Sequence, residues 1–564
     1  MHYSNLSSNN MARILAVSLL FLITAGLTAS GHSRTLFGQK NVLSARLQAG
    51  QDDPYQTLRV HNVANIALTV TNMGQIGTGF LSIPAIDPFT GQPAPSCEYP
   101  LPNGQKYLFA GALWVGAVVG EDTLVSVGAD GWNFTREMWP DKYPGGDILY
   151  RGEDSAGVVS DQDFIAVFTD TLTDPAFVNE DPYDGRPHLP LGLKITQKSY
   201  AWNTLIAEDF VIFDYRVENI GDRTLNQVYL GFYVDGDVQH GPNTGFDDDI
   251  SGFTAATGSL QDCDFPDPIN IAWIADNDGL DPNAACPYGP DAVTAVTGIS
   301  LIRTPSDSLD VSFNWWVSNN DPQLDWGPST TLNYPTCGDT CDGTPLGDKG
   351  KYRLLSNREI DYDQLTTAVD HTGEGWMPAP THALNIADGY DARYLLSFGP
   401  FDISPGQVLP FTIAYVAGED FHTECNAFDS LYNPAMPQAY IDYLSTDDIA
   451  VNAMWASWYY DNPGIDTDGD GYYGDFIMCG TDTIYYRGDG FPDMTPYYIC
   501  GDCDGDTKLD LVDIVWLIDY VYRGGTAPVS GDYADVNNDG LMNILDITRL
   551  IDYLYKDGLQ PLCR

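Results

Sequence analysis

Two acidic segments near the C-terminus repeat one pattern at an offset of 33 residues, and they constrain this chain more than any other feature. The first runs Asp502-Cys503-Asp504-Gly505-Asp506-Thr507-Lys508-Leu509-Asp510-Leu511-Val512-Asp513. The second runs Asp535-Val536-Asn537-Asn538-Asp539-Gly540-Leu541-Met542-Asn543-Ile544-Leu545-Asp546. Both place oxygen-bearing side chains at loop positions 1, 3, 5, 9 and 12. With a backbone carbonyl at position 7, that spacing folds a tight loop around one hard cation, and calcium is the ion it suits. The same helical pattern follows each loop. Leu511, Ile514, Val515, Ile518 and Val521 recur at i, i+3, i+4 and i+7, and Arg523-Gly524 or Lys556-Asp557-Gly558 supplies the closing cation and glycine.

Duplicated loop-helix units with no entering helix resemble a type I dockerin, over residues 500–564. By position, the resemblance implies calcium ligands Asp502, Asp504, Asp506, Lys508 (backbone), Asp510 and Asp513. In the second loop it implies Asp535, Asn537, Asp539, Leu541 (backbone), Asn543 and Asp546. It also implies a cohesin-type protein partner. Two positions depart from the pattern. Thr507 stands where glycine normally supplies the left-handed turn, at a cost of about 1 kcal/mol. Positions 10 and 11, polar in the family, are Leu511-Val512 and Ile544-Leu545, which suits a place in the module's own core.

At the other end, Arg13 precedes the apolar run Ile14 to Ile23, and Ala29-Ser30-Gly31 gives a small-residue cleavage pattern. Residues 1–31 therefore read as a secretory signal peptide, too short for a membrane span, with a linker over 32–55. The expected location is secreted, extracellular or cell-surface, without direct membrane insertion. The formal net charge is −52, and of 78 acids only 11 are Glu, leaving 67 Asp. Such an Asp excess suits short oxygen ligands in loops. A field this negative repels nucleic acid and anionic membrane surfaces.

The ten cysteines of an exported chain point to disulfides. Cys337 with Cys341 and Cys263 with Cys286 are the local pairings expected. The dockerin resemblance implies that Cys563 pairs with Cys500 or Cys503, with Cys479 available to the other.

The body reads as mainly β, expected as tandem immunoglobulin-like β-sandwich domains over 56–200 and 201–425. Val60 to Thr71, Ala207 to Asn219, Gln227 to Val234, Tyr394 to Phe398 and Phe411 to Val416 are the clearest strands. They are separated by turns at Asn72-Met73-Gly74, Asn219-Ile220-Gly221-Asp222 and Ser404-Pro405-Gly406. The strings around Asn219 and Gly399 look like those of secreted bacterial surface proteins of sandwich fold. A helical segment spans 426–463. A calcium-binding DxDxDG linker follows over 464–499, with Asp466, Asp468 and Asp470 as ligands and Ile477, which cannot ligate, at position 12.

Further acids cluster as Asp235-Gly236-Asp237, Asp247-Asp248-Asp249 (with His240 between) and Asp276-Asn277-Asp278-Gly279; the first group reads either as a metal site with a catalytic role open to it or, preferred, as calcium-stiffened or solvated loops, since packed acids need a cation or full exposure. The search for HExxH, GxSxG, P-loop and Rossmann glycine patterns finds none, and Arg487-Gly488-Asp489 is too short to carry weight. Glu208, Glu359 and Glu374 are the first acids to test for hydrolysis. Trp315-Trp316, Trp326, Trp376 and Tyr459-Tyr460 could form a carbohydrate platform, though core positions suit them better. The expected role is a secreted, calcium-binding, non-catalytic surface or structural protein assembled through a dockerin-like module. The alternative is a polysaccharide-acting hydrolase in a dockerin–cohesin complex.

Overall fold

The computed structural model describes residues 54–561 except 103, 132–134, 142–146, 153–157, 240–247, 257–258, 261–262, 265–267, 281–285, 306–308, 319–324, 330–342, 362–363, 366–389, 434–435, 460–474, 480–481, 487–491, 494–499, 502, 504–508, 510, 529–533, 539 and 557–560. The expected signal peptide, residues 1–31, and all but the last two residues of the expected linker thus lie outside the described residues, as does the Asp466-Asp468-Asp470 loop. Tyr55–Phe80 and Ala85–Arg564 make up one compact unit.

Its strands begin with β1 Leu58–His61, β2 Ala67–Thr71, β3 Gln75–Gly77, β4 Cys97–Glu98, β5 Ala110–Val119, β6 Asp122–Val127 and β7 Trp139–Pro140. Next come β8 Leu149–Gly152, β9 Gln162–Thr169, β10 Leu193–Ala201, β11 Phe210–Asn219, β12 Leu225–Asp235 and β13 Asp249–Ala256. β14 Ser259–Leu260, β15 Cys263–Asp264, β16 Ile269–Asp276, β17 Val296–Arg303, β18 Asp310–Val317, β19 Ala392–Ile403 and β20 Val408–Gly418 complete the body. Two nine-stranded antiparallel sheets result. One has the order β1-β2-β3-β5-β12-β19-β18, with β4 on β2 and β6 on β5. The other has the order β13-β16-β17-β20-β11-β10-β9-β7, with β8 on β9.

These sheets correct the expected boundary at residue 200. β5 pairs with β12 in one sheet and β10 with β11 in the other, so strands from both sides of that position share each sheet. The body is one large sandwich. Local strand patterns reveal strands but not their partners, and here the pairings are long-range.

The sheets meet across a common core. Leu113 and Val115 of β5, Phe232 of β12 and Leu396 and Phe398 of β19 pack with Val211, Phe213 and Tyr215 of β11 and Phe411 and Ile413 of β20. Phe398 and Phe411 rings sit 5.6 Å apart, and Tyr215 and Phe232 rings 5.5 Å. The outer faces are covered too. Trp114 and Leu395 on one sheet pack against Tyr352, Leu354 and Leu355 of helix α1, Gly347–Ser356. Gly231 lets that helix close in, since a Cβ there would meet Leu355 Cδ2 at 2.6 Å. On the other sheet, Phe210, Ile212, Ala414 and Val416 pack against helical residues. These belong to α2, Ala427–Leu431, α3, Gln438–Ile441, and α4, Asp447–Tyr459. Central strands covered on both faces are apolar throughout, which is why Phe210-Val211-Ile212-Phe213 alternates poorly.

Ion pairs anchor α1: Lys351 Nζ lies 2.6 Å from the buried Asp130 Oδ2, and Arg186 Nη2 2.7 Å from Asp348 Oδ2. Outside that helix, His188 Nδ1 lies 3.0 Å from Glu137 Oε1. The disulfide differs from expectation: Cys286 joins Cys425 across 139 residues, not Cys263. Cys337 and Cys341 lie outside the described residues.

Candidate metal centres

The C-terminal module is built on helix α5, Leu511–Arg523, and helix α6, Ile544–Lys556. Ile514 and Leu517 of α5 and Ile547 and Leu550 of α6 occupy equivalent repeat positions and pack with Cys503, Ala534 and Val536. This small core holds the two loops in place. Arg523 with Asp519 at 3.4 Å and Lys556 with Asp552 at 2.8 Å repeat one i,i+4 pair near each helix end.

In the second loop the expected ligands are brought together by backbone donors. Asp546, fully buried, accepts from Asn537 N at 3.3 Å on Oδ1 and from Asn543 N at 2.8 Å on Oδ2. Asp535 Oδ2 accepts from Gly540 N at 2.6 Å. Asn543 Oδ1 accepts from Leu545 N at 2.8 Å, and its Nδ2 donates to the Leu541 carbonyl at 2.9 Å. Asn538 at φ 57° and Gly540 at φ 83° turn the chain. Asn537 Oδ1 is buried and accepts no hydrogen bond. An orphaned acceptor beside inward-held carboxylates is what a hard cation satisfies, so this donor set fits calcium. Asp535, Asn537, Asn543 and Asp546 would hold the ion, with the Leu541 carbonyl; Asp539 lies outside the described residues.

In the first loop, Asp513 is buried and its Oδ1 accepts from Cys503 N at 2.8 Å. Asp502, Asp504, Asp506, Lys508 and Asp510 lie outside the described residues. Cys500 is disulfide-bonded. Cys503 is buried, with its Sγ 3.3 Å from the Gly501 carbonyl; the side chain of Cys479 and all of Cys563 lie outside the described residues.

The apolar residues at positions 10 and 11 depart from the expectation of core. Leu511 is 56% exposed, Val512 48%, Ile544 49% and Leu545 56%. Val515 is exposed as well, and a cavity of about 140 Å³ is lined by Val512, Val515, Trp516, Asp519 and Thr526. The helix register explains this: Ile514, Leu517, Ile547 and Leu550 take the inward stripe, and positions 10 and 11 fall outside it.

Other candidates in the body resolve differently. Trp315, Trp316 and Trp326 are core residues with 1% exposure or less, so they form no carbohydrate platform. Tyr459 is half-buried against Trp202 and Phe210; Trp376 and Tyr460 lie outside the described residues. Glu208 is half-buried and Glu359 exposed, while Glu374 lies outside the described residues, as does Arg487-Gly488-Asp489. Asp276 Oδ1 accepts from Asp278 N at 2.9 Å and from Gly279 N, which makes that cluster an Asx turn.

The acids at Asp235 and Asp249 form a different group. Asp235 ends β12 and Asp249 begins β13, each buried. Burial and the charges of Asp248, Asp237 and Asp276 hold the Asp249 carboxyl well above the usual carboxylate range. Asp391, 156 positions from Asp235 in the chain, brings a carboxylate oxygen within 4.8 Å of one from each of Asp235 and Asp237, and no sequence pattern announces it. His240 and Asp247 lie outside the described residues.

Residues 500–555 match the family model described as the dockerin type I domain. No curated protein gives a significant match. A solved structure described as a putative aldose 1-epimerase from Escherichia coli K12 aligns at 9% identity over 65% of this chain and 100% of that one. Its TM-score is 0.24, too low to carry an argument. Dockerins bind calcium and cohesins, and the proteins that bear them are typically extracellular or on the cell surface. Among the described residues no helix is long and apolar enough to cross a membrane. The C-terminal segment of this chain thus matches a type I dockerin domain, carried on a larger β-rich protein.

Proposed function

We propose that this protein is a secreted, non-catalytic component that docks through its calcium-loaded C-terminal module onto a cohesin-type partner and displays the β-sandwich as binding or structural cargo. One observation carries the reading. Leu511 and Val512 in the first repeat, and Ile544 and Leu545 in the second, are apolar and exposed at the same positions. A stable small domain gains nothing by holding such a paired face in water. Burying each side chain against a partner contributes about 1.5–3 kcal/mol before association costs. Calcium enters by fixing the loops that launch both helices.

The test is capture of the full chain on an immobilised cohesin-type module. Capture in calcium should be abolished by chelator. It should also be lost in the Val512→Asp/Leu545→Asp variant, although that variant keeps its calcium uptake. Undiminished capture by the variant removes the docking-face reading. Hydrolysis of a polysaccharide panel, lost on changing one body acid, replaces the non-catalytic reading with the hydrolase.

A further inference from the structure

We propose that the first repeat supplies the main anchor of the docking contact: an apolar side chain of the cohesin-type partner enters the hollow beside α5, while the second repeat contributes less. The proposal rests on the docking reading above and adds which half of the module the partner grips.

Helix register and a turn build the hollow. Val512, Val515, Trp516 and Asp519 recur at i, i+3, i+4 and i+7 on α5, so they share one face. Ile514 and Leu517 take the inward stripe. Gly524 at φ 70° and Gly525 then reverse the chain, and Gly525 N donates to the Asp519 carbonyl at 3.1 Å. That turn brings Thr526 back toward Asp519 and completes the lining. Trp516 packs partly against the module's core, which fixes one wall, while Val512 and Val515 form apolar lips open to solvent. A dry cavity of about 150 Å³ admits a group as large as benzene. The hollow, at about 140 Å³, therefore has room for one apolar side chain from outside.

The second repeat has an equally long helix and different chemistry on it. At the 33-residue offset, Val512 answers to Leu545 and Asp519 to Asp552, but Val515 answers to Thr548 and Trp516 to Arg549. Thr548 Oγ1 donates to the Leu545 carbonyl at 2.9 Å, so its hydroxyl is engaged by its own helix. Arg549 is half-buried, and an apolar group seated over it would have to strip water from a guanidinium. On α5 the apolar surface runs on from Leu511 and Val512 through Val515 to Trp516; on α6 it breaks off after Ile544 and Leu545. Binding energy concentrates where an anchor side chain fills a desolvated pocket, and α5 meets that condition.

The test measures the dissociation constant of the full chain, loaded with calcium, on the same immobilised cohesin-type module for two matched single variants. Val512→Asp should weaken capture by about 30-fold or more, and Leu545→Asp by less than about threefold. Both positions are exposed, so both variants should keep their calcium uptake and far-UV helicity. Equal losses, or a larger loss in Leu545→Asp, overturn the first-repeat anchor and leave docking itself standing. Capture untouched by either change removes the docking face, and this inference with it. Should Val512→Asp fail to take up calcium, the comparison moves along the helices to Val515→Asp against Thr548→Asp, and the same ratio decides.

Discussion

His188 gives the body a pH dependence whose sign and size follow from two contacts. Burial pulls the imidazole pKa down, but the Glu137 carboxylate 3.0 Å from Nδ1 and the Asp170 carbonyl 2.9 Å from Nε2 outweigh it. The result is a pKa raised from 6.5 to about 9. The folded state therefore holds a proton that the unfolded chain gives up, and this stabilisation is complete below pH 6.5. It declines as pH rises and is gone above about 9. At about 1.4 kcal/mol per pH decade, the loss amounts to about 3 kcal/mol. The window must stop short of about pH 10. Above that, buried tyrosines such as Tyr215, held protonated by burial, ionise on unfolding and add a second loss. The assay is urea denaturation of the full chain at fixed calcium across this window, in wild type and His188→Gln. Wild type should lose about 3 kcal/mol that the variant does not. Equal slopes in the two proteins would refute the assignment to the His188–Glu137 pair.

Three further outcomes are expected. Replacing Cys286 and Cys425 by serine, which opens a 139-residue loop, should lower stability by up to about 5 kcal/mol on the chain-entropy estimate, read as a shifted urea midpoint. Gly298→Ala on β17 would set a methyl against the Ala272 carbonyl of the paired strand β16 and should cost about 2–4 kcal/mol, whereas Gly289→Ala, in open space, should cost almost nothing. Asp546→Asn should release about one calcium ion and reduce far-UV helicity, because that carboxylate holds two loop amides at the start of α6; unchanged helicity would separate the helix from the ion.

The parts legible in the sequence are those written in local spacing. The 33-residue repeat, the inward stripe Ile514, Leu517, Ile547 and Leu550, and the strands around Val211, Val228 and Ile413 all rest on neighbours within one or two turns or a few strand residues. Features that depend on distant partners were not legible. Nothing near Asp235 indicates Asp391, and nothing near Cys286 indicates Cys425. Helix α1 was absorbed into an all-β reading because Gly347-Asp348-Lys349-Gly350 weakens the helical signal. Its stability comes from Leu354 and Leu355 on the sheet and from the Lys351–Asp130 pair. The exposed pair at positions 10 and 11 was hidden for the opposite reason: an apolar residue looks like core until the helix register is known.

The order of strands also bears on how the chain is made. β19 sits between β12 and β18, and β20 between β11 and β17, yet both come last among the body's strands. During vectorial synthesis or translocation, each half-built sheet waits with bare amide edges until the segment up to Gly418 arrives. The body therefore closes in one late event, and a chain cut anywhere before Ala392 would leave two sticky fragments instead of a smaller working domain.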